Sequence, residues 1–301
     1  MSAASGSLPP AAWHVLGAGA IGGLWSLRLA ARGIDVTLIG RDGDAASRTL
    51  SLEDGDTRLT HTFPQHSATA GGEVARLLVT TKSHVTRDAL TPLLPRLATA
   101  TPVVLLQNGM GVEDWLCATR PDLCVLCAIT TDGVFRRDRD SLVLAGRGDT
   151  VIGGARPGND AHAERIALEL GMMAVPDITA RRWQKLAINC AINPLTALYR
   201  CRNGDLLAKP EALAIMRALC SEVAAVMTAE GLAADGDALF RLAAATAQKT
   251  AANRSSMCAD VEAGRSTEIR FLNGYVVDRA RLHGIAVPEN ERMLAAVLTM
   301  H

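Results

Sequence analysis

A glycine-rich turn near the N-terminus constrains the fold of this chain more than any other feature. A short apolar run, Trp13–Leu16, leads into a Gly-x-Gly-x-x-Gly turn, and residues 24–32 continue with helical spacing. Strand, glycine turn and helix in this order are typical of a dinucleotide-binding unit, in which the three glycines make the turn, admit the pyrophosphate and let the helix pack on the strand. We therefore predict a Rossmann-type domain that holds the pyrophosphate at the helix N-terminus. The predicted contacts are Gly17, Ala18, Gly19, Ala20, Ile21 and Gly22.

The end of the next predicted strand, residues 35–39, indicates which dinucleotide binds. An NAD site usually carries an acidic residue here for the ribose hydroxyl, whereas an NADP site tends to carry an arginine for the 2′-phosphate. Gly40 and Arg41 follow this strand, and the Arg41 guanidinium can pair with a phosphate through two hydrogen bonds. Asp42 comes next and would favour NAD if its carboxylate faced the ribose. We favour NADP because the arginine comes first.

Two more polar residues follow predicted strands at the edge where open α/β sheets bind ligands. Lys82 comes after the strand at 75–80 and is either a second cation for the 2′-phosphate or a solvated loop lysine. Asn108 comes after the strand at 103–107. It either contacts cofactor, substrate or both, or only shapes the Asn-Gly turn.

The pattern of apolar residues changes near residue 179. Before it, apolar runs predict further strands at 123–129, 141–145, 150–152 and 174–175, a hairpin within 50–63 and a helix at 161–173. After it, segments rich in alanine and leucine show helical spacing without a convincing strand, at 182–200, 209–231, 235–257 and 261–284. The prediction is an α/β Rossmann-type N-terminal domain (13–178) followed by an all-α C-terminal domain (179–301), with residues 1–12 as a flexible leader.

Composition narrows the class of protein. Lysine and arginine total 31 and aspartate and glutamate also 31, with no basic block, which argues against nucleic-acid binding. We expect no signal peptide, because residues 1–12 lack a positively charged start and an apolar h-region. We also expect no membrane span, because no uncharged apolar run approaches about 18 residues. The seven cysteines are scattered, as in reduced cytoplasmic proteins. Cys124 and Cys127 lie three apart on a predicted strand and so face opposite sides, and the histidines form no cluster with metal-ligand spacing. We expect no metal.

Three polar side chains share one stripe of an otherwise apolar helix. Lys185, Asn189 and Asn193 are spaced i, i+4 and i+8, which places them on one face. Burying a charge or an amide without hydrogen bonds is costly, so the stripe must face a cavity or a partner. Alternatively, it is a structural lysine with two asparagines bonded to backbone. Pro194 follows, so we expect the helix to end or kink at Asn193.

The sequence resembles the ketopantoate reductases (2-dehydropantoate 2-reductases) over nearly all of the chain after the leader. Members of that family have a Rossmann-type domain and a helical domain, with the active site in the cleft between them. The motifs that carry the resemblance are Gly17–Gly22, Gln107–Gly111, Trp183–Ala197, Asn203–Gly204, Ser255–Met257, Thr267–Ile269 and His283–Asn290.

The resemblance implies a role for each matched residue. Lys185 matches the proton-donating lysine, and Glu268 matches a catalytic-site carboxylate that helps to position cofactor and substrate. Arg41 and Lys82 match the pair on the 2′-phosphate, and Asn108 matches a residue that meets cofactor and substrate. Substrate contacts are implied for Asn108, Asn189, Asn193, Asn203 and Ser256.

Two places depart from the family pattern. Small residues are expected near the nicotinamide within Thr130–Phe135, where Asp132 and Phe135 stand, and Gln107 replaces a histidine found in some members. The implied activity is NADPH-dependent reduction of ketopantoate to pantoate in pantothenate biosynthesis, by a cytoplasmic monomer or homodimer. The alternatives are a reductase of another 2-oxo acid, since fold does not fix substrate, and a non-enzymatic NADPH-binding sensor.

Overall fold

The computed structural model describes residues 12–41 and 43–300. The predicted leader up to residue 11 and the alternative ribose contact Asp42 lie outside the described residues. The chain forms two compact units, each with its own apolar core. The first comprises the described residues up to Gln107 together with Val112–Ile178, and the second comprises Asn108–Gly111 together with the chain from Thr179 onward.

The first unit is built on one mixed sheet. Its central strands are short, continuous apolar runs and are almost completely buried, as expected when both faces of a parallel sheet are covered. The strands are β1 (Trp13–Leu16), β2 (Val36–Gly40), β3 (Ser47–Asp54), β4 (Thr57–Ser67), β5 (Leu77–Val79), β6 (Pro102–Leu105), β7 (Cys124–Thr130), β8 (Gly133–Arg136), β9 (Ser141–Gly146), β10 (Thr150–Gly154) and β11 (Met173–Ala174).

The strand order places the glycine turn where ligands bind in such sheets. The order is β11-β10-β7-β6-β5-β1-β2-β4-β3-β9-β8, and β2, β1, β5, β6 and β7 run parallel. The chain leaves β1 toward β2 on one side and continues with β5 on the other side. The strand order therefore reverses between β1 and β5, and open α/β sheets bind ligands at the carboxyl ends of the strands at such a point.

The helices of the first unit cover the sheet. The helix after the glycine turn is apolar on nearly all sides and buries Leu24, Leu27 and Leu29 completely. A 3₁₀ helix spans Thr91–Arg96. The α-helices are α1 (Ala20–Ala31), α2 (Ser83–Leu90), α3 (Val112–Thr119) and α4 (Asp160–Leu170).

The second unit is helical. Its described residues form α5 (from Ile178, at the unit boundary, to Tyr199), α6 (Pro210–Ala229), α7 (Gly236–Lys249), α8 (Ser256–Glu262), α9 (Asn273–His283) and α10 (Pro288–Leu298), with 3₁₀ helices at Asn203–Ala208 and Ile269–Phe271. By length and composition α6 could cross a membrane. It packs against α7, α9 and α10 in the core of this unit.

These units confirm the predicted fold class, an α/β domain followed by a helical one. The predicted hairpin is confirmed as β3 and β4, which pair in antiparallel register around Gly55. Cys124 and Cys127 belong to different apolar clusters, which confirms that they face opposite sides of β7. The strand β8 and the helix α10 were not predicted.

Of the two alternatives predicted at Asn193, an end or a kink of the helix, the end is wrong. The helix α5 continues through Pro194 to Tyr199, with Pro194 inside it. Its apolar residues are buried on several sides: Leu186, Cys190 and Leu195 are each at most 2% exposed. Packing in the core stabilises the helix beyond the proline, despite the missing backbone N–H.

Candidate active site

The glycine turn has the geometry that a dinucleotide requires. Gly17 has φ of +96°, and a Cβ there would lie 2.7 Å from the backbone nitrogen of Thr81. A Cβ on Gly22 would lie 2.3 Å from the carbonyl oxygen of Gly17, so both positions need glycine. Beside Gly19, in contrast, the nearest atom is 3.9 Å away. The backbone is open there, at the N-terminus of α1, whose first turn contains no acidic residue. This arrangement fits a pyrophosphate.

The carboxyl end of β2 carries an exposed arginine and a carboxylate. Arg41 is exposed, and its backbone N–H donates to Oδ2 of Asp44 at 2.8 Å. This hydrogen bond, aided by the nearby Arg139, lowers the pKa of Asp44. Asp44 was not predicted from the sequence, because it lies beyond the first residues after the strand. Its spacing of three from Arg41 is that of a side chain that accepts from a turn backbone.

Lys82 lies at the next strand end and is also exposed. It is the residue before α2, and its carbonyl oxygen accepts from the Val85 N–H at 3.1 Å and the Thr86 hydroxyl at 3.0 Å. These bonds fix the backbone from which its side chain leaves the carboxyl end of β5. Arg41 and Lys82 therefore follow two strands of the same parallel group.

Asn108 belongs to the helical unit, although it directly follows the sheet segment that ends at Gln107. The Met110 N–H donates to the carbonyl oxygen of Phe271 at 3.0 Å. Gly109 has φ of +82°, and a Cβ there would lie 2.4 Å from the same oxygen. The turn that carries Asn108 is thus packed against the segment that follows Glu268.

Lys185 lies on the polar stripe of α5, and its charge interacts with that of Glu268. Its side chain is partly buried, and burial lowers the pKa of its amine to about 8, while the Glu268 carboxylate opposes this shift. Glu268 is itself only 6% exposed. A lysine with this pKa is mostly charged at neutral pH and is a stronger acid than an ordinary lysine.

Asn193 lies in the turn of α5 that contacts the start of α8. The Thr196 hydroxyl donates to the carbonyl oxygen of Asn193 at 2.9 Å and shares a 2.6 Å hydrogen bond with the Ser255 hydroxyl. Ser255 in turn caps α8 by accepting from the Cys258 N–H. Ser256, the next residue, is exposed. Thr196, which links these two segments and is fully buried, was not singled out in the sequence.

Asn203 is buried at the start of the 3₁₀ helix that follows α5. Its Nδ2 donates to the Thr250 hydroxyl at 2.9 Å, and its backbone N–H donates to the carbonyl of Asn253. Its Oδ1 is buried without a hydrogen-bond partner among the described residues. An unpaired buried acceptor is costly, so this oxygen is well suited to accept from a ligand hydroxyl.

Asp132 and Phe135 depart from the family pattern, and both lie in the first unit. Asp132 accepts two hydrogen bonds from Arg28 of α1, at 2.5 and 2.9 Å, and one from the Gly148 N–H at 3.0 Å. Phe135 lies on β8 and is 51% exposed. Asp132 therefore joins α1 to the loop between β7 and β8.

Pro194 leaves one backbone acceptor of α5 open, and a residue missed in the sequence binds it. The Cys190 carbonyl would accept from an N–H at position 194, but proline has none. Nδ2 of Asn273 donates to this carbonyl at 3.3 Å. A proline inside an apolar helix indicates a backbone carbonyl without its usual donor, which a buried amide elsewhere in the chain can supply.

A Rossmann-type unit followed by a helical unit with a lysine–carboxylate pair defines a two-domain, nicotinamide-dependent oxidoreductase. Family models described as "Ketopantoate reductase PanE/ApbA" and "Ketopantoate reductase PanE/ApbA C terminal" match residues 13–157 and 177–301. The chain belongs to the ketopantoate reductase family. Among the described residues, no group of three or more His, Cys, Asp or Glu could hold a metal ion.

Similar proteins agree with this assignment. A 2-dehydropantoate 2-reductase of Vibrio cholerae is 38% identical over 95% of this chain and 96% of its own. The crystal structure of a PanE/ApbA family ketopantoate reductase from Ralstonia eutropha has a TM-score of 0.86 at 27% identity, covering 96% of this chain and 98% of its own. A D-mandelate dehydrogenase solved with NADH and anilino(oxo)acetate shares the fold, with a TM-score of 0.86 at 20% identity over 96% and 98% of the two chains.

Proposed function

We propose that the chain reduces 2-dehydropantoate (ketopantoate) to pantoate with NADPH, the reductive step of pantothenate biosynthesis. The observation that best supports this proposal is the partly buried Lys185. Its pKa of about 8 and its interaction with the Glu268 carboxylate suit a proton donor, and the family is one of keto-acid reductases.

The proposed chemistry follows the charge that develops on the substrate. When held by the glycine turn, NADPH would supply the hydride for the C2 ketone carbon. As negative charge grows on the ketone oxygen, the Lys185 ammonium stabilises it and then transfers a proton to it, which leaves a secondary alcohol and a neutral amine. Lys185 regains its proton from water. Glu268 favours the protonated amine, because its negative charge raises the pKa of Lys185.

Neutral amide and hydroxyl groups would hold the substrate. Asn189 and Asn193 share the helical face of Lys185, and neither adds a charge that competes for the proton. The unpaired Oδ1 of Asn203 can accept a hydrogen bond from the distal hydroxyl of ketopantoate. Amide N–H groups can donate to the carboxylate of the substrate. The proposed substrate contacts are Asn108, Asn189, Asn193, Asn203 and Ser256.

The choice of NADPH over NADH rests on two exposed cations. Arg41 and Lys82 follow the parallel strands β2 and β5, and each can pair with the 2′-phosphate. The carboxylate of Asp44 accepts hydrogen bonds from the backbone N–H of Arg41 and from the Arg139 side chain. The proposed cofactor contacts are Gly17, Ala18, Gly19, Ala20, Ile21, Gly22, Arg41, Lys82, Asn108 and Glu268.

A reductase of another 2-oxo acid is the main alternative, because a D-mandelate dehydrogenase shares this fold and fold alone does not fix the substrate. A non-enzymatic NADPH sensor would have no use for a lysine of lowered pKa beside a carboxylate. We further propose a cytoplasmic location, which the seven free cysteines favour, and a monomer or homodimer.

The test is NADPH consumption by purified protein with ketopantoate, with a panel of other 2-oxo acids and with NADH in place of NADPH. We expect the highest kcat/KM for ketopantoate with NADPH. A higher kcat/KM for another acid would replace the substrate. Tight NADPH binding with no turnover of any acid would support the sensor.

A further inference from the structure

The helix α5 contains one turn that cannot complete its own hydrogen bonds. Pro194 has no N–H to donate to the carbonyl of Cys190, and its ring crowds that carbonyl. Both residues are buried. A buried carbonyl without a donor destabilises the folded state. The open turn spans residues 190–194, so it directly follows Asn189 and contains Asn193, and its geometry affects how these two amides are spaced.

Asn273 closes this turn from another helix. Nδ2 of Asn273 donates to the Cys190 carbonyl at 3.3 Å and to Oδ1 of Asn290 at 3.0 Å. Both hydrogens of the amide are thereby used. Asn273 and Asn290 are completely buried, so water does not compete for these bonds.

A carboxylate anchors the other end of this chain of hydrogen bonds. Oε2 of Glu222 accepts from Nδ2 of Asn290 at 2.7 Å and from its backbone N–H at 2.9 Å, and Oε1 accepts from the Glu289 N–H at 2.8 Å. Glu222 thus caps the first turn of α10 while it orients Asn290. The negative charge polarises the Asn290 amide and strengthens the bond it accepts from Asn273.

The position of Asn273 calls for an amide donor rather than an apolar residue. Its Oδ1 is buried without a hydrogen-bond partner among the described residues, which is a cost that leucine would avoid. Asn273 therefore costs stability through its oxygen and is useful here through its two donor hydrogens.

We propose that Asn273 is a positioning residue for the reaction: it supplies the hydrogen bond that Pro194 removes from α5 and so fixes the turn that places Asn189 and Asn193 next to Lys185. The catalytic part of this proposal rests on the proposed function. The structural part, the dependence of Asn273 on Pro194, does not.

The first test compares Asn273→Leu with Val277→Ala. Leucine is branched like asparagine but is larger and has no donor, so the Cys190 carbonyl loses its partner; the effect of the added volume is common to both backgrounds of the second test. Val277 is fully buried on the same helix, and its truncation leaves that bond in place. We expect Asn273→Leu to lower kcat/KM for the 2-oxo acid by roughly 10- to 100-fold with the NADPH Kd unchanged, because small misplacements of reacting groups have such effects. Val277→Ala should lower the Tm and leave the kinetic constants within about twofold.

The second test is a double-mutant cycle with Pro194→Ala. Alanine restores an N–H that donates to the Cys190 carbonyl, so Asn273 is no longer the needed donor. We expect Asn273→Leu to reduce kcat/KM and Tm much less in the Pro194→Ala background than in the wild type. Additive effects on both quantities would overturn the proposal, as would an Asn273→Leu enzyme with wild-type kinetic constants.

The two proposals fail in different ways. A wild-type protein that reduces none of the 2-oxo acids contradicts the proposed function. The Tm cycle still measures whether Asn273 and Pro194 depend on each other: coupled Tm shifts support the structural part, and additive shifts reject it.

Discussion

The charges of Lys185 and Glu268 interact within the helical unit, and this interaction opposes the effect of burial on the pKa of the lysine. Burial lowers the pKa of Lys185 to about 8, and the Glu268 carboxylate raises it. Lys185 comes from the helix α5, and Glu268 directly precedes the 3₁₀ helix Ile269–Phe271. A balance between burial and an opposite charge is a common way to adjust a catalytic lysine.

Glu268→Gln should move the alkaline limit of activity to lower pH. The substitution removes the negative charge that raises the pKa of Lys185 and leaves the burial that lowers it, so the ammonium loses its proton at lower pH. The measurement is kcat against pH for wild type and variant with the same 2-oxo acid. An alkaline limb at an unchanged pH would show that Glu268 does not act on the proton donor.

Arg41→Ala should weaken NADPH far more than NADH, because only NADPH carries the 2′-phosphate. Loss of a charge-assisted contact to a phosphate corresponds to about 1.5–3 kcal/mol, or roughly 10- to 100-fold in Kd. The Kd of each cofactor is measured by fluorescence titration. Arg137→Ala, which removes an exposed arginine paired with Glu53, is the control. Equal losses for NADPH and NADH would mean that Arg41 does not contact the 2′-phosphate.

Gly109→Ala should disturb the turn that carries Asn108. The new Cβ would meet the carbonyl oxygen of Phe271 at 2.4 Å, at a residue with φ of +82°. Gly158→Ala is the matched control, since Gly158 has φ of +92° and no atom within 4 Å of its added Cβ. Both variants pay about 1–2 kcal/mol for the left-handed backbone. Gly109→Ala should additionally lower Tm and kcat/KM, and equal values for the two variants would contradict the packing described for this turn.

Asp132→Asn should destabilise the first unit at neutral pH and much less in acid. Burial alone would raise the pKa of Asp132, but its hydrogen bonds with Arg28, Gly148 and Thr130 outweigh burial, and the pKa is lowered. The stabilisation is therefore complete above the unfolded-state pKa of about 3.9 and is lost as the pH falls through the lower folded-state value. Thermal unfolding at neutral pH and below pH of about 4 measures this. A difference in Tm that stays constant with pH would exclude the ionised pair as its cause.

The features predicted from the sequence are those that depend on short-range pattern. The strand, glycine turn and α1 follow from local spacing, and so does the stripe of Lys185, Asn189 and Asn193 on α5. The change to helices near residue 179 follows from apolar periodicity. In such segments the residues that determine the structure are neighbours in the sequence.

Features that depend on tertiary contacts were not predicted. The helix α5 continues past Pro194 because core packing and Asn273, 79 positions later in the printed sequence, compensate for the missing N–H. Asp132 departs from the small residues expected near the nicotinamide, and the sequence gives no reason for it, because its partner Arg28 is 104 residues away. The pairing of Asn290 with Glu222 spans 68 residues. Spacing along the chain contains no information about such pairs.

The role of Lys185 as proton donor is tested by the pH dependence of kcat for wild type and Lys185→Ala. With ketopantoate and NADPH, we expect a wild-type rate that falls as the pH rises through about 8, where Lys185 loses its proton. Lys185→Ala should lower kcat by roughly 10²- to 10⁴-fold and abolish this limb, with NADPH affinity unchanged. Lys249→Ala, which removes an exposed lysine at the end of α7, should match wild type. A Lys185→Ala enzyme with wild-type kcat and the same alkaline limb would contradict the role of Lys185 as proton donor.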